Sequence, residues 1–309
     1  MQIIRNILNL KPHHHGCVAT IGNFDGVHLG HQAVLGQLAE KADKLCLPLT
    51  VVTFEPQPEE FFRPEQAPPR LTRFREKVQA LRRYAVDRVL VLRFNKDFSQ
   101  QSPDEFIQRL LVKGLGVKYL VIGDDFRFGK DRAGDFVMLQ AAGAKHGFEV
   151  VNMHTFMLDD ERVSSTRVRE ALGEGDLNGA EKLLGRIYRM SGRVAHGDKK
   201  GRTIGFPTAN IHLHRIATPL RGVFAVELFG LEGEPLPGVA NLGTRPTVGG
   251  MRTLLEVHLF DFEGEIYGKH VHVDFLRKLR DERRFDSFDD LKAQIRRDAD
   301  QARAFLSRP

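Results

Sequence analysis

The spacing of apolar residues changes once along this 309-residue chain, and the change limits the folds open to it. Through about residue 184, strand-like apolar runs alternate with stretches whose apolar residues recur at spacings of three and four, the helical pattern. The runs are 17–21, 49–54, 88–94, 118–122 and 148–153. Such alternation predicts a parallel sheet with helices on both faces. One intervening helix is expected to open at Ser102-Pro103-Asp104-Glu105, where Ser102 caps, Pro103 fits the first position and Glu105 completes a capping box. From about residue 190, period-two runs take over at 222–228, 237–241, 253–260 and 270–275, broken by Gly, Pro and Asp. They predict an antiparallel sheet or small barrel. A last helix is expected to start at Ser287 and to turn Phe288, Leu291, Ile295, Ala302, Phe305 and Leu306 inward. Gly185 ends the last helix of the first half and marks the boundary. Two domains are therefore expected, 1–185 and 186–309, as the length also suggests. Residues 186–309 are expected to work alone, because no motif spans the boundary.

Composition narrows the class. With 41% hydrophobic residues there is material for two cores, and no stretch approaches the ~20 apolar residues of a membrane span. The opening MQIIRNILNLKP lacks the apolar region and cleavage site of a signal peptide. Cys17 and Cys46 are too few for a disulfide framework or a zinc site, so a reduced cytoplasm is the expected setting. The net charge of +6 would suit nucleic acid. However, basic residues interleave with acidic ones, as in Arg280-Asp281-Glu282-Arg283-Arg284 and Arg296-Arg297-Asp298, which reads as a solvated surface. No nucleic acid and no membrane is expected as a partner, and the excess charge suits phosphorylated ligands. His13-His14-His15 read as a polar loop. Nothing in the sequence selects between a monomer and a homo-oligomer.

Residues 22–31, GNFDGVHLGH, lie between the run 17–21 and a helical pattern of Val34, Leu35, Leu38, Ala39, Ala42 and Leu45. A strand-to-helix turn of this kind points free N–H groups and the positive end of the helix dipole at an anion. Gly22, Gly26 and Gly30 permit close backbone approach, and Asn23, Phe24 and Asp25 complete the turn. His28 and His31 add ring donors one helical turn apart, so both can face one anion. A single Gly-rich turn or a lone His is weak evidence, but two His, three Gly and an Asp in ten residues at such a junction favour a site. The string resembles the H-x-G-H signature of the nucleotidyltransferase superfamily, which implies a Rossmann-like fold and transfer of a nucleotidyl group with release of pyrophosphate.

Residues 163–169, VSSTRVR, place Ser164, Ser165 and Thr166 beside Arg167 and Arg169 at a helix start. One hydroxyl suffices for capping. Three hydroxyls with Arg form an anion site. The string is similar to the superfamily motif I-S-S-T-x-x-R, which implies that Ser165, Thr166 and Arg169 hold the triphosphate opposite the histidines; Arg162, just upstream, is a weaker candidate. Residues 123–129, GDDFRFG, end another strand, where Asp125, Phe126 and Phe128 are candidates to contact flavin or ATP; an ordinary acidic turn is the alternative. FEPQP at 54–58 ends a third strand, stiffened by prolines.

In this order the strings resemble the N-terminal module of the bacterial bifunctional riboflavin kinase/FMN adenylyltransferases (FAD synthetases). GRTIGFPTAN at 201–210 resembles the G-x-P-T-A-N signature of riboflavin kinases, and NLGTRPTV at 241–248 and LEVHLFDF at 255–262 match their later motifs. The resemblance covers nearly the whole chain. Gln57 stands where many relatives have His, and Val248 where many have an aromatic residue. The family implies a nucleotidyltransferase domain followed by a small β-barrel kinase domain with a terminal helix. It also implies ATP and Mg²⁺, with riboflavin, FMN and FAD as substrates and products. An alcohol acceptor must lose a proton as it attacks the γ-phosphate, so a base is useful. Glu256 is the candidate, sharing a strand face with His258, for which a solvated face is the simpler reading. Thr208 and Asn210 suit Mg²⁺, which takes few ligands from protein, and Pro207 fixes their loop. Gly197, Lys199, Gly201, Arg202 and Gly205 are expected to wrap phosphates without forming a Walker A loop. A transferase for another phosphorylated acceptor would not need the second half. A flavin- or RNA-binding regulator on a degenerate scaffold would not need His28, His31, Arg169, Thr208, Asn210 and Glu256 intact.

Overall fold

The computed structural model describes residues 1–123, 125–153, 156–195, 206–215, 217–247 and 250–307. The chain divides into two compact units. One comprises Met1–Pro68 and Lys77–Val163, the other Pro69–Glu76 and Ser164–Pro309.

The first unit is built on six strands: β1 (Gln2–Arg5), β2 (Cys17–Ile21), β3 (Leu49–Glu55), β4 (Arg88–Arg93), β5 (Val117–Gly123) and β6 (Glu149–Met153). They lie in the order β1-β4-β3-β2-β5-β6, with every pair parallel. The helices are α1 (Leu29–Leu45), α2 (Pro58–Phe62), α3 (Phe74–Leu81, which begins in the other unit), α4 (Lys96–Ser99), α5 (Pro103–Phe106) and α6 (Phe136–His146). Both faces of the central strands are buried: Cys17, Ala19, Val52 and Leu120 on one side, Val18, Val51, Val89 and Val121 on the other. That is why these strands read as continuous apolar runs. The capping box expected at Ser102 forms. Ser102 Oγ accepts from the Glu105 amide at 3.2 Å, and Glu105 accepts from the Ser102 amide at 2.8 Å. The Ser102 amide, and next its hydroxyl, hold the Glu105 carboxyl below its ordinary pKa. The helix then widens into π turns over Ile107–Leu115. Two features were not anticipated. β1 has only four residues and pairs at the sheet edge, and a small hairpin joins β7 (Met157–Leu158) to β8 (Glu161–Arg162). His14 of the His run is buried, with its Nδ1 accepting from the Lys11 amide at 2.9 Å, so it is a structural residue of that loop. Cys17 and Cys46 are free thiols, and burial pushes Cys17 up to about 11.

In the second unit, α7 (Ser165–Glu174) and α8 (Leu177–Leu184) end on Gly175 and Gly185, both left-handed as C-caps require. Six antiparallel strands follow: β9 (Arg189–Ala195), β10 (Ala209–His212), β11 (Gly222–Phe229), β12 (Leu236–Thr247), β13 (Gly250–Leu259) and β14 (His270–Arg280). They close into a barrel in the order β10-β13-β12-β11-β14-β9. Leu242, Leu255, Val257, Val273 and Phe275 are buried, and Phe224 meets Phe275 edge to face at 5.3 Å. The opposite face of β11 and β12 packs Val223, Ala225 and Val239 against Ala299 and Ala302 of α9 (Phe288–Leu306). β9 and β10 were not anticipated, because β9 alternates only Met190 and Val194 with polar residues and glycine.

One expectation about α9 fails. Phe288 is exposed, while Gln294 and Asp298 are buried on the inner stripe. Asp298 accepts from Arg280 Nε and Nη2 and from Gln294 Nε2, so the stripe is closed by a satisfied polar network instead of hydrocarbon. Segment 69–76 is tied to the barrel by a second network. Glu76 pairs with Arg215 at 2.5 Å and accepts from the amides of Arg73 and Ser191. Arg215 also donates to the carbonyls of Arg70 and Leu71 and to the Tyr188 hydroxyl.

Candidate active sites

The strand order of the first unit reverses at β2. From β2 the chain builds β3 and β4 on one side, then β5 and β6 on the other. Ligands of open α/β sheets bind at such a switch point, outside the C-terminal ends of the strands. GNFDGVHLGH leaves the end of β2, FEPQP the end of its neighbour β3, and GDDFRFG the end of its other neighbour β5. Three motifs separated by up to a hundred residues thus meet along one sheet edge.

The β2–α1 turn is conformationally demanding. Phe24 (φ 48°), Gly26 (φ 82°) and Val27 (φ 44°) are left-handed. For a fully buried β-branched valine this is strain of about 1–3 kcal/mol, held by the packing around it. His28 is the N-cap of α1, and its Nδ1 accepts from the His31 amide at 3.4 Å. Nδ1 therefore carries no proton, and His28 can donate only through Nε2. The two imidazoles stack at 3.7 Å, with Phe24 at 4.7 Å from His31. Burial, and next the proximity of the His28 ring and the Lys77 ammonium, holds the His31 pKa well below its ordinary 6.5. His31 is thus neutral. Its Nδ1 and the Oδ1 of Asn23 are buried without a hydrogen-bond partner among the described residues. Gly30 leaves little room for a side chain: a Cβ would lie 3.2 Å from the His28 ring and 3.3 Å from the Val163 carbonyl oxygen, so these neighbours would have to give by a few tenths of an ångström. Asp25 is buried in the same turn, Gly22 lies under the Phe24 ring, and Gln57 opens α2 in a buried position.

In GDDFRFG, Asp125 pairs with Arg162 at 3.1 Å on an exposed surface. Phe126 is half-buried and stacks on Phe128. The Phe128 ring itself is committed to the core, against Phe106. In the second unit, Ser164 caps α7, its Oγ accepting from the Arg167 amide at 3.3 Å. Ser165 and Thr166 occupy the first turn, and Arg169 Nε donates to the Pro69 carbonyl at 2.8 Å.

The barrel carries a cavity of about 550 Å³, within the usual range for small-molecule sites. Glu256 sits at the centre of a three-strand row, with Asn210 of β10 as its direct partner on one side and Asn241 of β12 on the other. Glu256, Asn241, Thr208 and His258 line the cavity. Phe206, Phe285, Phe288, Leu291 and Ile295 supply apolar wall, and Arg280, Glu282, Arg283 and Asp298 supply charge. The Arg280–Arg284 run is therefore not simply solvated surface. Arg280 meets Asp298 and Arg283 meets Gln294 of α9, while Asp281 pairs locally with Lys278; no local pattern announces the contacts to α9. Asn241 was also missed as a site residue, although it opens the quoted NLGTRPTV string. Gly197, Lys199, Gly201, Arg202, Gly205 and Val248 lie outside the described residues.

Comparison with known proteins agrees with both halves. The family model for FAD synthetase matches residues 10–167, and that for riboflavin kinase matches residues 184–306. The bifunctional riboflavin kinase/FMN adenylyltransferase of Haemophilus influenzae is 54% identical over 99% of this chain and 100% of its own length. That of Escherichia coli K12 is 53% identical over 99% of this chain and 98% of its own. The chain belongs to this family. It is a bifunctional enzyme that phosphorylates riboflavin and adenylylates FMN, using ATP for both. A solved structure described as a macrolide-efflux protein from Streptococcus pneumoniae is similar to this enzyme at a TM-score of 0.82 and 32% identity, covering 97% of this chain and 98% of that one. Among the described residues of the enzyme, no helix is long and apolar enough to cross a membrane.

Proposed function

We propose that the two activities use separate residue sets of opposite chemical character. For phosphoryl transfer the acceptor is the ribityl 5′-hydroxyl, which must lose a proton as it attacks. Glu256 accepts that proton. The observation that carries this reading is the row Asn210–Glu256–Asn241, which sets a carboxylate between two amides, with Glu256 and Asn241 lining the barrel's cavity. The Thr208 hydroxyl and the Asn210 amide carbonyl are hard oxygen donors, the type Mg²⁺ prefers, and two such groups fit the ion's habit of taking few protein ligands. Mg²⁺ bound there would offset phosphate charge. Pro207 limits the motion of the loop that carries Thr208.

For adenylyl transfer the acceptor is the FMN phosphate, already an anion, so no base is needed. Catalysis is alignment plus stabilisation of charge at the α-phosphate and the leaving pyrophosphate. The depressed pKa of His31 and the capping role of His28 Nδ1 support two neutral imidazoles acting as hydrogen-bond donors and not as titrating acids. Gly22, Asn23, Phe24, Asp25 and Gly30 shape the turn around them. Asp125, Phe126 and Arg162 are candidates for nucleotide or flavin contact, and Ser164, Ser165, Thr166 and Arg169 for phosphate contact. A chromatographic assay with riboflavin, ATP and Mg²⁺, run beside one that starts from FMN, tests the assignment. Loss of one reaction without the other is expected from variants in either set.

A further inference from the structure

The P-T-A-N segment is held unevenly. The ladder between β10 and β13 ends with Ala209 opposite Val257, and residues 206–208 just before it belong to no strand. Pro207 has no amide hydrogen to extend that ladder. Among the described residues, one bond reaches past its end: His258 Nδ1 lies 2.9 Å from the Pro207 carbonyl oxygen. A carbonyl oxygen only accepts, so Nδ1 carries the proton and donates. The imidazole is half-buried, edge-on to Phe206 at 5.1 Å and to Phe260 at 5.8 Å. Continuing the register by one residue sets Thr208 across from His258, as Asn210 is across from Glu256. A histidine on a merely solvated strand face would have neither the aromatic flanks nor a nitrogen committed to a loop carbonyl.

We propose that His258 is a positioning residue for phosphoryl transfer. By donating from Nδ1 to the Pro207 carbonyl, it pins the Pro207–Thr208 turn to β13 and keeps the Thr208 hydroxyl at a fixed separation from the Glu256 carboxylate on the cavity wall. The inference rests on the reading above that Thr208 and Glu256 serve the kinase step. His258 itself touches neither substrate nor metal in this role. Misplacing a reacting or binding group by about 1 Å can cost roughly 10²-fold in rate, so one bond at the end of a ladder is enough to matter.

Three substitutions separate the bond from the packing. His258→Phe keeps a flat ring between Phe206 and Phe260 but cannot donate. His258→Asn places an amide N–H near the Nδ1 position. His258→Gln places it near the Nε2 position instead. The Phe variant is expected to lower kcat for riboflavin phosphorylation roughly 10- to 100-fold with little change in the riboflavin KM, while FAD formation from supplied FMN stays normal. Amide hydrogen exchange across residues 206–212 should accelerate in the unliganded protein. The Asn variant should recover most of both kcat and protection. If His258→Phe leaves kcat and exchange as they were, or if Asn is no better than Phe, the proposal is wrong. Should the Phe variant fail to fold, the contrast between Gln and Asn takes its place: equal kinase rates for those two would overturn the proposal. Thr208→Ala tells the two possible failures apart. If it leaves phosphorylation intact, the role of Thr208 falls and the proposal with it. If it slows phosphorylation while His258→Phe does not, the positioning role alone falls.

Discussion

The two sites are built by different means. The histidines of the first unit are placed by a turn: three left-handed residues, a cap made by a side chain, and a glycine closely packed against the His28 ring. The carboxylate and amides of the second unit are placed by a ladder, where Asn210, Glu256 and Asn241 stand in register on three hydrogen-bonded strands. A turn stores strain to aim backbone and rings at an anion, which suits chemistry needing only alignment and charge neutralisation. A ladder spaces side chains at fixed intervals, which suits chemistry in which a base must face a hydroxyl. Where the ladder stops short, at Thr208, a side chain takes over.

The sharpest way to break this contrast is to remove both imidazoles. Losing one donor to developing charge typically costs about 10²–10³ in rate. His28→Ala with His31→Ala should therefore lower FAD formation from FMN by about 10⁴ or more and leave riboflavin phosphorylation unchanged. Near-normal FAD synthesis by the folded double variant would remove the histidines from the reaction. Glu256→Gln keeps shape and loses basicity. Phosphorylation of riboflavin should fall about 10²–10⁴-fold, with FAD formation from FMN unaffected. Equal loss of both rates would point to a folding defect, and no loss would return Glu256 to the strand face.

A third test concerns what counts as the second unit. Arg215 is almost fully buried and its carboxylate partner is Glu76, in segment 69–76. Removing one partner of a buried pair typically costs about 3–5 kcal/mol. Glu76→Ala should lower unfolding stability by that order in a denaturant titration. Residues 186–309 alone lose the same partner, so this fragment should bind and phosphorylate riboflavin only with reduced stability. A fragment as stable as the intact enzyme's barrel would show that segment 69–76 contributes little. The smallest effect is on pH. The His31 pKa is depressed in the folded state, so at pH above about 6.5 the ring is neutral folded or unfolded and costs nothing. As pH falls below that value the unfolded chain takes up a proton that the folded chain refuses, and stability declines. Comparing unfolding midpoints at pH 7.5 and 5.5 for the enzyme and for His31→Gln isolates this contribution, which should vanish in the variant.

Much of this architecture is legible in local pattern. β2 to β5 are found because strands buried on both faces read as apolar runs, while β6, a half-buried edge strand, is found from its Val150-Val151 pair. The Ser102 capping box, the Ser164 cap and the Gly185 stop are found because caps use short-range chemistry. β1, β9 and β10 escape because four residues, or alternation interrupted by glycine, carry too little signal. Phe128 looks like a ligand-facing aromatic beside Phe126 and is a core residue. Phe288 looks like core and stands exposed at the cavity.

The sequence by itself determined the family, the two chemistries, the parallel sheet before residue 185 and the antiparallel strands after it. Periodicity and motifs are short-range properties, and they survive in one dimension. Only the tertiary structure decided which residues stand together. The register set Asn241 beside Glu256, and α9 brought Asp298 to Arg280. Segment 69–76 was brought to Arg215, and His258 to the Pro207 carbonyl. Each of these pairs is between 15 and 139 residues apart or lies across strands, and a hydrogen bond or ion pair depends on distance in space, which spacing along the chain does not encode.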